Sequence, residues 1–111
     1  MPVVFLKYRL DKLPSETMHK VADALPVIVS RALDVPPDDI QVWSLPADTF
    51  DRNVKNPLQM MIPIHGYHER LYNLEQRKDS IVSAVREIVG DRVHVGWVWI
   101  LPSSETAFGR I

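Results

Sequence analysis

The chain has 111 residues, 46% of them hydrophobic, and a formal net charge of −1. This length suits one compact domain, and the balanced charge gives no electrostatic reason to expect a nucleic acid or an anionic membrane as partner. The absence of cysteine excludes disulfides, thiol catalysis and zinc–thiolate sites. No apolar run approaches the roughly 20 residues of a membrane span, and no secretion signal opens the chain, so we expect a cytoplasmic protein.

The first predicted strand, Val3–Tyr8, follows directly on Met1 and Pro2. A small residue after the initiator methionine normally allows the methionine to be trimmed, which would leave Pro2 as a terminal secondary amine. An unperturbed α-amino group has a pKa of about 7.7–8.0, and burial or a nearby cation would lower it toward the range of a general base. The alternative is that Pro2 is only a residue with no N–H at the start of a strand.

A helix is predicted to begin at Pro14-Ser15-Glu16, because apolar residues then recur at spacings of three and four. Pro26 lies inside this pattern and predicts a kink. The helix should end at Val35-Pro36-Pro37. A second strand is predicted over 39–45, and the polar stretch 47–57 reads as a surface connection.

The second half of the chain repeats this order of elements. A third strand is predicted over Leu58–His65, and Pro63 within it indicates an edge position or a bulge. Asn73 is predicted to cap a second helix together with Gln76, in a capping box, and Gly90 to end it. The fourth strand is predicted over 93–101.

The two halves also share a similar five-residue segment. Val42-Trp43-Ser44-Leu45-Pro46 recurs 56 residues later as Val98-Trp99-Ile100-Leu101-Pro102, and the same offset aligns the apolar faces of the helices. The pattern predicts one domain over residues 1–111 with repeats at 2–46 and 58–102. The expected fold is α/β: duplicated β-α-β units forming a four-stranded mixed sheet with two helices on one face.

All four strands are apolar at nearly every position, which predicts burial on both faces of the sheet. Two helices can cover only one face of a domain this small. The other face is therefore expected to meet further copies of the chain in a cyclic homo-oligomer.

The most specific segments of the chain are Pro2, 35–42, His65-Gly66-Tyr67-His68-Glu69-Arg70, Asp91-Arg92-Val93-His94 and Phe108-Gly109-Arg110. Together with the two β-α-β units and the chain length, they resemble the tautomerase superfamily, which includes oxalocrotonate tautomerase and macrophage migration inhibitory factor. The third and the last of these segments lean toward its cis-chloroacrylic acid dehalogenase and malonate semialdehyde decarboxylase branches.

The resemblance implies a homotrimer in which Pro2, freed of Met1, transfers a proton on a small 2-oxo or unsaturated carboxylic acid. It places Arg70 on the substrate carboxylate, with Tyr72 where a second arginine would stand. Lys12 and Gln41 fall where oxalocrotonate tautomerase carries arginines. Trp97 is a candidate wall of the pocket.

Departures from the family pattern leave other functions open. The dehalogenase's acidic residue falls on Ala107, with Glu105 close by. The alternatives are a decarboxylase- or dehalogenase-like lyase and a catalytically silent trimeric binding or structural protein. His65 and His68 are spaced like metal ligands but lack a carboxylate cluster, and no phosphate-binding glycine loop occurs, so we expect no metal and no cofactor.

Overall fold

The computed structural model describes residues 2–47, 51–52, 56–65, 72–90 and 96–103. It has two helices and one mixed sheet of four strands, as predicted. The elements are β1 (Val3–Tyr8), α1 (Ser15–Leu33), a short 3₁₀ turn (Pro37–Asp39), β2 (Gln41–Pro46), β3 (Leu58–His65), α2 (Leu74–Val89) and β4 (Gly96–Ser103).

The strand order across the sheet is β2-β1-β3-β4. β1 is parallel to β2 and β3 is parallel to β4, whereas the central pair β1 and β3 is antiparallel. Each β-α-β unit therefore contributes one half of the sheet, and the two halves join along their first strands.

The strand registers agree with the internal repeat. Val3 faces Gln41 and Leu58 faces Gly96, so the partners lie 38 residues apart in both parallel pairs. Phe5 faces Met61 across the antiparallel pair, and these two residues are themselves 56 apart. The duplication, with repeats at 2–46 and 58–102, stays a prediction.

The core lies between the sheet and the two helices. One side of each inner strand is fully buried there, and so is one face of each helix. The main contributors are Val4, Leu6, Met60 and Ile62 from the sheet, Val21, Leu25 and Val29 from α1, and Ile81, Val85 and Val89 from α2. Burial of these aliphatic side chains is the main force that holds the helices on this face.

Truncating a side chain at the centre of this core should strongly destabilise the fold. Ile62 is fully buried, so Ile62→Ala is expected to lower the free energy of unfolding by about 2–5 kcal/mol, through lost burial and a residual cavity. Urea unfolding at fixed protein concentration measures it. Val27→Ala, at a half-exposed position of α1, should change the same quantity by less than about 0.5 kcal/mol. Equal losses in both variants would contradict this location of the core.

The ends of α1 follow from local chemistry. Pro14 precedes the helix, and its carbonyl accepts the Met18 N–H at 3.1 Å. The helix ends at Asp34, which adopts a left-handed conformation, while Ser30 Oγ donates to the carbonyl of Val35 at 2.5 Å. The helix runs continuously through Pro26, and the kink stays a prediction.

Three local predictions need correction. β2 begins at Gln41, because Pro37–Asp39 forms a 3₁₀ turn held by the Ile40 N–H donating to Pro37. Both edge strands also run past their predicted ends, β2 to Pro46 and β4 to Ser103, since an edge strand tolerates a residue without an N–H. The predicted start of β4 at 93–95 lies outside the described residues.

The capping box at the start of α2 is wrong. Asn73 lies in the left-handed region, with φ 60° and ψ 42°, and its side chain makes no cap hydrogen bond. An N-cap side chain reaches the helix from extended backbone, which this conformation does not provide. The helix ends at Gly90, which has a positive φ of 60° and donates its N–H to Arg86, so the predicted end is confirmed.

Pro63 does not place β3 at a sheet edge, because β3 lies between β1 and β4. Its pairing with β4 is continuous from Leu58 to His65 without a bulge. The pairing with β1, however, covers only Leu58 to Met61. Pro63 lies beyond that stretch, so its missing N–H costs no hydrogen bond to β1.

Candidate active site

The sheet has two ends, and the strand directions decide which residues meet at each. The proline end holds Pro2 and Gln41 at the starts of β1 and β2, together with His65 and Ser103 at the ends of β3 and β4. The opposite end holds the other termini of the same strands. The two ends are separated by the length of β1, about 20 Å for six residues.

Pro2 is buried at the proline end. Its carbonyl accepts the backbone N–H of Gln41 at 3.3 Å, which holds the residue before β1 against the first residue of β2. The Gln41 side chain is exposed, and its Oε1 accepts the Trp43 Nε1–H at 3.4 Å. Gln41 therefore neighbours Pro2 through the backbone. Met1 lies outside the described residues.

Tyr72 also lies toward the proline end, immediately before α2. Its ring is 68% exposed, and the guanidinium of Arg77 lies 5.5 Å from the ring centroid. Arg77 Nε donates to the Tyr72 carbonyl at 2.8 Å, and Nη1 donates to the Ala32 carbonyl, also at 2.8 Å. One half-buried arginine thus joins the last turn of α1 to the segment that enters α2.

No sequence motif pointed to Arg77. A basic residue in the first turns of a helix interacts unfavourably with the helix dipole. The position of Arg77 was therefore the one sequence feature that indicated a partner elsewhere in the fold. The partner carbonyl lies 45 residues away, so its identity could not be read from sequence spacing.

Loss of this link should destabilise the junction of the helices. Arg77→Met removes two charge-assisted hydrogen bonds, so we expect the free energy of unfolding to fall by about 1–3 kcal/mol in urea titrations. Arg77→Lys keeps the charge but cannot reach both carbonyls with a planar fork, and should recover less than half of the loss. Full recovery by lysine would show that charge alone matters at this position.

Lys12 and Trp97 lie at the opposite end. Lys12 is exposed in the turn after β1, beside Asp11, whose pKa is lowered by its hydrogen bond to Arg9. Trp97 is the second residue of β4 and borders a cavity of only about 30 Å³ between β4 and α2. Within one chain neither side chain is brought to Pro2. Arg70, like His68, Glu105 and Ala107, lies outside the described residues.

The helix-free face of the sheet is apolar and largely open to solvent. Its middle row is read directly from the strand registers, because Trp43 faces Phe5, Phe5 faces Met61, and Met61 faces Trp99. Trp43 is 55% exposed and Trp99 40% exposed, and the rings of Trp97 and Trp99 lie 5.8 Å apart. We call Trp43, Phe5, Met61 and Trp99 the aromatic row. The prediction that both faces are buried is met on only one face within a single chain.

The described part of the chain offers neither a metal-binding cluster nor a membrane-spanning helix. No group of three or more His, Cys, Asp or Glu side chains that could bind a metal occurs among the described residues. Among the same residues, no helix is long and apolar enough to cross a bilayer.

No protein-family model and no curated protein matches this sequence. Solved structures match it over nearly its whole length. A macrophage migration inhibitory factor-like protein from Entamoeba histolytica superposes with a TM-score of 0.62, covering 99% of this chain and 95% of that one at 10% identity. A fused 4-OT, described as a symmetric trimer, gives 0.60 over 96% and 90% at 10% identity.

The chain has the tautomerase fold. A third match, N1 of the cis-3-chloroacrylic acid dehalogenase family, gives a TM-score of 0.60 over 98% of this chain and 82% of that one at 16% identity. Identities of 10–16% establish the shared fold, so the chemistry of this tautomerase-fold chain has to be argued from its own residues.

Proposed function

We propose that this chain is a proline-dependent tautomerase that acts on a small 2-oxo or unsaturated carboxylic acid. The observation that carries the proposal is the position of Pro2 within a tautomerase fold: it is buried, it directly precedes the inner strand β1, and its carbonyl accepts a backbone hydrogen bond from Gln41. Burial at this position favours the neutral, proton-accepting form of an amine.

The proposed reaction is a proton transfer between two atoms of the substrate. With Met1 removed, the Pro2 nitrogen accepts the hydroxyl proton of an enol such as phenylenolpyruvate. The same nitrogen then delivers a proton to the neighbouring carbon, which turns the enol into the ketone and regenerates the free amine. Arg70 is the proposed carboxylate ligand, since a guanidinium can bind a carboxylate through two parallel hydrogen bonds.

We further propose a cytoplasmic homotrimer whose sites are shared between subunits. Lys12 and Trp97 lie at the end of the sheet opposite to Pro2, so they can serve its site only from a neighbouring copy. The exposed aromatic row gives each copy an apolar surface for such contact. Among the solved structures with this fold, the fused 4-OT is a symmetric trimer, which supports a trimer for this chain as well.

Two measurements on natively produced protein test the proposal. Intact-mass spectrometry should give a mass lower by one methionine, and the same sample should accelerate ketonisation of phenylenolpyruvate, followed by absorbance. A retained methionine would make the Pro2 nitrogen an amide without basicity and favour the catalytically silent binding protein. A trimmed chain inactive on enols but active on a 3-oxo or 3-halo acid would favour a lyase.

A further inference from the structure

Arg77 holds the turn that leads into α2 through its side chain and its backbone. Its Nε donates to the carbonyl of Tyr72 at 2.8 Å, and its backbone N–H donates to the carbonyl of Asn73 at 3.0 Å. These two carbonyls belong to the peptide groups on either side of Asn73. Arg77 therefore contacts both peptide groups of the residue at which the chain turns into the helix.

The conformation of Asn73 explains why this turn needs to be held. Its φ of 60° and ψ of 42° lie in the left-handed region, which a residue other than glycine occupies at a cost in free energy. Such a conformation persists where the surrounding structure holds it. The direction in which Tyr72 leaves α2 depends on this turn, and so it depends on Arg77.

The other end of α1 supplies the fixed point. Arg77 Nη1 donates at 2.8 Å to the carbonyl of Ala32, which is buried in the last turn of α1. Carbonyls in the last turn of a helix have no partner within that helix, so they are ready acceptors. Arg77 is half-buried, and its guanidinium connects the end of one packed helix to the start of the next.

The ring of Tyr72 is held on one side and open on the other. The Arg77 guanidinium lies over the ring, 5.5 Å from its centroid, while the residue stays 68% exposed. Tyr72 precedes α2 at the proline end of the sheet, where β3 finishes and Pro2 lies. A phenol hydroxyl at this end can donate a hydrogen bond to a carboxylate.

We propose that Arg77 is a positioning residue of the proposed catalytic site, an inference that rests on the proposed function. It holds Tyr72 so that the phenol hydroxyl donates to the substrate carboxylate, while Arg77 itself contacts no substrate atom. A side chain that is ordered before binding loses less conformational entropy when the substrate arrives. The effect of Arg77 is therefore expected in substrate binding and not in proton transfer at Pro2.

Steady-state kinetics with phenylenolpyruvate test this role, at a temperature where every variant is folded by its thermal melt. Tyr72→Phe and Arg77→Met should each raise KM about tenfold, the usual effect of losing one hydrogen bond to a charged group. The kcat should stay within about threefold of the parent, since the lost interaction is one of binding. Unchanged KM in both variants would overturn the proposal.

The double variant shows whether Arg77 acts through Tyr72. If it does, Tyr72→Phe combined with Arg77→Met should have the KM of the more affected single variant, because both changes remove the same interaction. Two effects that multiply in the double variant would show that Arg77 acts by another route, and would overturn the proposal.

Two further variants separate positioning from charge. Lys78→Met removes a cation from the next position of α2, where Lys78 pairs with Glu75 and Asp79 of the same helix, and should keep the parental KM. Arg77→Lys keeps the charge but cannot donate to both carbonyls from a planar fork, so it should keep the raised KM. A raised KM in Lys78→Met, or a parental KM in Arg77→Lys, would overturn the proposal.

Turnover by the parent chain reports on the proposed function separately. If the parent shows no turnover, the proposed function fails, and the same variants are compared by calorimetric titration with phenylpyruvate. Binding weakened about tenfold by Tyr72→Phe and by Arg77→Met would still support the positioning role. A parent that neither turns over the enol nor binds phenylpyruvate would overturn both proposals.

Discussion

Pro2→Ala, with Met1 removed, is expected to lower kcat/KM for ketonisation of phenylenolpyruvate by about 100-fold or more, the usual contribution of a positioned general acid–base group. Alanine still offers a terminal amine, but a primary one that rotates freely about its bond to Cα. The proline ring fixes the direction of its nitrogen lone pair, so the substitution removes positioning as well as the secondary amine.

Two controls make this result specific. Pro36→Ala changes an exposed proline before the 3₁₀ turn and should leave turnover unchanged. A variant with one alanine inserted before Pro2 converts the nitrogen to an amide and should have no activity above background, with an unchanged thermal melt. Turnover by the inserted variant at the parental rate would refute proline-dependent catalysis.

The second large effect is expected at the helix-free face. Trp99→Glu places a carboxylate in the aromatic row, where association of copies would bury it without a partner, at a cost of several kcal/mol per site. We expect the proposed trimer to dissociate to monomers in sedimentation velocity at micromolar concentration. The monomer should stay folded, because Trp99 is 40% exposed within a single chain.

Turnover reports on the same variant independently. Because Lys12 and Trp97 lie at the end opposite to Pro2, dissociation should also abolish ketonisation. Val27→Glu is the matched control: it adds the same charge at an exposed apolar position of α1, and should keep both the trimer and the activity. A parent chain that sediments as a monomer, or a Trp99→Glu trimer, would contradict the proposed assembly.

Much of the fold could be predicted from local patterns. β1 and β3 occupy the predicted residues, and Gly90 ends α2 as expected, since these features depend on β-branched runs and a positive φ. Of the misjudged features, the capping box and the start of β2 depend on local backbone conformation, whereas the place of Pro63 depends on distant partners. Pro63 is tolerated in an inner strand only because β1 pairs with an earlier part of β3.

The roles of the predicted site residues stay predictions, and their arrangement in space could not be predicted from the sequence. Pro2 and Gln41 do lie together, because two parallel strands start side by side. Lys12 and Trp97 do not join them within one chain, since the strands that lead to them run away from Pro2.

By itself, the amino-acid sequence determined which segments become helices and strands, where apolar side chains recur, and that a proline directly precedes the first strand. Those features depend on backbone preferences and periodicity within a few residues. Only the tertiary structure decided which ends of the strands meet, which face stays open and where Arg77 finds its partner. These outcomes depend on strand direction and register, which contacts between distant parts of the chain determine.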